Sequence, residues 1–129
     1  MMDYVDYSEP DSEPTALGGE EDLLRLLARI KSQSPPGMVD LIHENGFKLL
    51  VGPSEIGCAQ FSPADDQPPY LMAVVPGTHT AGDTIDFMYD GSLTEIPSVF
   101  GIPYETLRDL ALHFFRTGER SAAVEWEEI

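Results

Sequence analysis

Basic residues are scarce in this chain. Seven Lys and Arg stand against 23 Asp and Glu in 129 residues, a formal net charge of -16, and between Ser32 and Leu107 the single base is Lys48 among ten acids from Asp40 to Glu105. A field of that sign repels phosphate backbones and anionic lipid, which argues against a nucleic-acid or membrane-surface binder and favours a basic partner. Cysteine is scarcer still. Cys58 has no second thiol, so no intramolecular disulfide forms and a reducing cytoplasm suits the chain. Its neighbours Ile56, Gly57 and Ala59 mark a buried thiol rather than a nucleophile. No segment reaches the roughly 18 to 20 apolar residues of a membrane span, and the N-terminus has no basic region followed by an apolar run. The histidines, His43, His79 and His113, are far apart and form no HxxxH or HExxH pattern, so no metal is expected. A GxSxG elbow, a Walker loop, a dinucleotide fingerprint and the deaminase HxE and PCxxC pair are all missing, and with them any expectation of a cofactor.

What is present fits one folded domain, with 42% hydrophobic and 9% aromatic residues. Met1 to Asp22 carries eight acids and no base, broken by Pro10 and Pro14. Residues 1–18 therefore read as an acidic flexible tail, in which Tyr4, Val5 and Tyr7 offer a segment able to order on a partner, and 19–129 as the domain. Leu23, Leu26, Leu27 and Ile30 repeat at helical spacing, with acids leading, Arg29 and Lys31 closing, and Pro35-Pro36 as the stop. Asn45-Gly46 sits between two β-prone runs and predicts a hairpin. GCAQFSP predicts a third strand, and Tyr70 to Gly77 a strand covered on both faces or at the sheet's centre.

Alternation in TIDFMYDG puts Ile85, Phe87 and Tyr89 on one face and Asp86 with Asp90 on the other. SLTEIPSVF adds a short extended piece, with Pro97 marking an edge or break. Pro103 opens a second helix whose apolar face is Leu107, Leu110, Ala111, Phe114 and Phe115, and AVEWEEI is a last strand with Val124 and Trp126 together. Helix, five to six short strands, helix, strand is an α+β order. It predicts an antiparallel sheet with an N-terminal and a C-terminal helix packed on it and the last strand at the C-terminus.

With no catalytic signature, binding is the remaining chemistry. Acids on strands and loops, unanswered by bases, can imitate nucleic-acid phosphates and fill a basic groove. Asp65, Asp66, Asp83, Asp86, Asp90 and Glu95 are the candidate contacts, with Tyr89 as an aromatic anchor that also shares a face with Phe87. An acidic adaptor or chaperone-like module of a secretion system has the same composition. A carboxylate-dependent enzyme is a third reading, though no acid pair stands out.

The C-terminal stretch IPYETLRDLALHFFRTGERSAAVEWEEI resembles bacterial polymorphic-toxin immunity proteins of Imm family one, which include an inhibitor of an interbacterial DNA cytosine deaminase. The matching pattern is a helix with Ala111 and Phe114-Phe115, then Thr117-Gly118, Arg120, and a short spacer to Val124 and Trp126, with Ser121 in place of an expected proline. The Leu-rich stretch from Asp22 to Ile30 also agrees. The resemblance implies a small cytoplasmic antitoxin that blocks the active site of a cognate toxin domain, foremost a deaminase and next a nuclease, without a cofactor. In that reading Phe114, Phe115, Gly118, Arg120, Val124 and Trp126 are scaffold, and the acids of the middle carry recognition.

Overall fold

A computed structural model describes residues 2–78 and 82–129. His79 lies outside them. The chain runs β1 (Met2–Asp6), β2 (Thr15–Leu17), α1 (Glu20–Lys31), β3 (Val39–His43), β4 (Phe47–Gly52), β5 (Ile56–Pro63), β6 (Leu71–Val74), β7 (Thr84–Tyr89), β8 (Ser92–Pro97), β9 (Ile102–Pro103), α2 (Tyr104–Thr117) and β10 (Glu125–Glu128).

The expected α+β order is overturned. Among the described residues strands predominate, ten against two α-helices, and the first element is a strand. Eight strands form one antiparallel sheet, in the order β10-β6-β5-β4-β3-β1-β2 with β9 on the end of β5, and β7 and β8 form a separate two-stranded sheet. The acidic N-terminal segment supplies β1 and β2 because its partner is remote: β1 pairs with β3 from Met2↔His43 to Asp6↔Val39. Its acids need no burial. Met2 and Tyr4 fall on the face that carries Leu41 and join the main core, while Asp6 on the same face reaches Arg29 of α1 at 3.4 Å. The apolar strand β6 is not central but second from the edge, between β5 and β10.

Strand alternation divides the core in two. One face of the sheet, with Val39, Leu41, Leu49, Val51, Ala59, Phe61 and Ala73, receives Leu23, Leu26, Leu27 and Ile30 of α1 and Leu107, Leu110, Ala111 and Phe114 of α2. The other face, with Cys58 and Met72, receives Ile85 and Phe87 of the β7–β8 hairpin, and Met38 and Leu50 join this second cluster. Helices, sheet and hairpin thus form three layers.

Helix α1 is held to α2 at the surface by a two-pronged pair, in which Arg116 Nε and a terminal nitrogen donate to the Glu20 carboxylate at 2.8 and 2.7 Å. Gly118 ends α2 with φ 72°. A Cβ there would stand 2.7 Å from His43 Nδ1, and Asn45 Nδ2 donates to the Gly118 carbonyl at 2.8 Å, so the helix end is locked onto the β3–β4 turn.

Candidate partner-binding surface

The β7–β8 hairpin turns at Asp90-Gly91, both with positive φ (52° and 84°), between the paired Tyr89 and Ser92. This is the geometry of a two-residue type I′ turn. Asp-Gly is the sequence signal that joins the two strands, and it makes Asp90 a turn residue rather than a partner of Asp86 on the strand face. The buried side of the hairpin carries Ile85 and Phe87 with the half-buried Thr94 and Ile96, and the outward side carries Thr84, Asp86, Glu95 and Pro97, all exposed. Asp86 and Glu95 stand directly opposite each other.

The six candidate acids are all exposed but not all alike. Asp83 precedes β7, and its carbonyl accepts from Ser98 N at 2.9 Å. Asp90 Oδ1 accepts from Asp11 N at 3.0 Å, which ties the β1–β2 loop to the hairpin tip. In the β5–β6 loop Asp65 caps its own turn through Gln67 N at 3.1 Å, and Asp66 pairs with Lys48. Among the described residues no ion pair reaches Asp83, Asp86 or Glu95. Tyr89 is half-buried in the second core and stacks on Tyr7, with ring centroids 4.4 Å apart.

Asp66 leads into a polar network that is not legible in the sequence. Asp40, 2% exposed, accepts from Tyr7 OH at 2.8 Å and from Lys48 Nζ at 3.2 Å through one oxygen, and Lys48 also bonds Asp66. Its other oxygen is buried with no donor among the described residues. Burial raises the Asp40 carboxyl above its ordinary value, against the opposing pull of Lys48 and Tyr7. For Lys48, burial lowers the ammonium, but Asp66 and Asp40 outweigh it and leave it raised. The isolation of Lys48 in sequence was the available clue to this site.

The C-terminal motif packs as a unit. Phe114 is buried, Phe115, Val124 and Trp126 pack against the same core, and the Arg120 guanidinium lies 5.5 Å over the Phe61 ring. The Trp126 indole N–H donates to Ser121 O at 2.9 Å, so this tryptophan closes the loop that follows α2. The glutamates beside it, Glu125 and Glu127, pair with Val74 and Met72 and so face the hairpin side of the sheet.

The bases are sorted by layer. Residues 20–31 and 104–120, which are the helices and the turn after α2, hold six acids and six bases. The net charge of -16 therefore lies entirely outside the helix layer, where the one base, Lys48, is buried. No group of three or more His, Cys, Asp or Glu among the described residues has the arrangement to hold a metal ion, and no helix there is long and apolar enough to cross a membrane.

Such a scaffold offers an acidic surface and a recognisable C-terminal motif. The family described as Immunity protein Imm1 matches residues 11–128, which takes in both helices, the hairpin and β10. The chain belongs to the Imm1 family. It is thus an immunity protein, whose partner is a cognate toxin. No curated protein matches it. The Imm1 match extends well beyond the C-terminal motif and includes the acidic middle, where no motif was legible.

Proposed function

We propose that this immunity protein acts as a non-catalytic inhibitor in the cytoplasm, occluding the basic substrate groove of a nucleic-acid-targeting toxin, foremost a deaminase, with its acidic, non-helical side. The observation that supports this reading is the sorting of charge: a neutral helix layer on one side, and the whole net charge of -16 on the rest of the molecule. An enzyme that works on nucleic acid presents a positive groove. An acidic partner reaches that groove fast, through long-range attraction, before the toxin reaches its substrate. A nuclease has a groove of the same sign, and the product assay separates the two.

The test is co-purification with the toxin domain encoded beside this gene, followed by assays of base deamination and of strand cleavage. A tight 1:1 complex in which deamination is abolished is the expected result. Cleavage in place of deamination makes the target a nuclease, and full toxin activity in excess immunity protein defeats occlusion altogether.

A further inference from the structure

The outward face of the β7–β8 hairpin is built of three cross-strand rungs. Met88 faces Leu93 at the tip, Asp86 faces Glu95 in the middle, and Thr84 faces Pro97 at the base. Leu93 is 60% exposed and Met88 half-buried beside it. A lone exposed leucine means little. Here the leucine sits in a rung with a second flexible apolar side chain, and the next rung sets two carboxylates against each other. Like charges directly opposite destabilise a hairpin, and no base among the described residues relieves them.

The tip is braced rather than loose. Asp90 N donates to Tyr7 O at 3.0 Å, Asp11 N donates to the Asp90 carboxylate, and Gly91 lies against Pro10. A surface held in place before binding loses less conformational freedom on association. The same contacts bring Asp11 from the N-terminal segment to Asp90 at the tip, so acids far apart in sequence meet there.

We propose that this face is the docking ridge for the toxin, with Leu93 and Met88 as an apolar anchor and Asp86 and Glu95 receiving Lys or Arg side chains of the basic substrate groove. The assignment rests on the occlusion reading above. Its argument is charge complementarity: residues 82–103 contain no Lys or Arg, and the face lies on the side of the sheet away from the helix bases. An apolar centre with a polar rim is the usual layout of a protein interface.

Binding kinetics against the adjacent toxin domain, at low and high salt, test the ridge with Leu93→Ala and Asp86→Lys, and with Asp109→Lys at an exposed position of α2, in the helix layer on the opposite side of the sheet, as a charge-matched control. Leu93→Ala should weaken binding about tenfold, chiefly through faster dissociation, with an unchanged melting temperature because the side chain is exposed. Asp86→Lys should slow association about tenfold and flatten its salt dependence while raising thermal stability, since it converts a repulsive rung into an attractive one. Asp109→Lys should stay within about twofold. If Leu93→Ala binds like wild type and Asp86→Lys behaves like Asp109→Lys, while the wild type still binds and inhibits, the ridge is wrong and the occlusion reading stands. A wild-type protein that does not bind the toxin overturns both.

Discussion

Asp40 and Lys48 form the one buried ion pair among the described residues, and each depends on the other. Removing Lys48 leaves a carboxylate that is 2% exposed with only the Tyr7 hydroxyl for company. Lys48→Ala should therefore cost about 3–5 kcal/mol at pH 7, measured by urea unfolding. The pH dependence follows from the direction of the Asp40 shift. Burial raises the folded-state carboxyl, so the folded protein holds this proton more tightly than the unfolded chain, and stability falls as pH rises from the ordinary carboxylate value through the raised one. Without Lys48 that window extends upward. The variant's deficit should consequently shrink when unfolding is repeated near pH 5, and a deficit independent of pH would mean that lost packing, not the orphaned carboxylate, sets the cost. In sequence Lys48 stood out only as the single base of a long acidic stretch. No local signal places Asp40, diagonally across on the neighbouring strand, buried within reach of it.

Among the elements, the hairpin depends on a close approach to the sheet. A Cβ on Gly52 would lie 2.6 Å from Phe87 Cε1, and Phe87 is fully buried, so only glycine lets β7 seat on β4. Next to this contact is a cavity of about 240 Å³, lined in part by Met38, Leu50, Cys58 and Met72. Gly52→Val should lift the hairpin without dissolving the sheet. Cys58 reports the opening: its thiol is buried, and burial pushes its pKa up to about 12, so a disulfide reagent should scarcely label the native protein at pH 8. Labelling should rise at least about tenfold in Gly52→Val, with amide exchange quickened in β7 and β8 but not in β4 and β5. Uniformly faster exchange would show global destabilisation instead. The β3–β4 hairpin, both helices and β10 were legible, because Asn-Gly, a 3.6-residue period and strict alternation are local signals. β1 was not, because its strand character depends on pairing with β3, more than thirty residues away, and an acidic composition masked its alternation.

At the scale of the whole molecule, charge acts on stability as well as on partners. A chain of net charge -16 with its bases confined to one layer repels itself, and salt should relieve the strain. Raising ionic strength from about 10 mM to 0.15 M should stabilise the protein by about 1 kcal/mol, roughly 3–5 °C in melting temperature. A melting temperature that falls with salt would mean that the surface ion pairs, such as Arg116 with Glu20, outweigh the repulsion. The amino-acid sequence by itself determined the sign and size of the field, the helices, the β3–β4 turn and the C-terminal motif, since each follows from composition or from neighbours a few residues apart. Tertiary structure decided which acids share a surface, that Asp66 is answered by Lys48 while Asp86 and Glu95 are set against each other, and that the N-terminal segment enters the sheet and braces the hairpin. Those outcomes depend on pairings between distant strands, where cooperative backbone hydrogen bonding and burial outweigh the local preferences that a sequence displays.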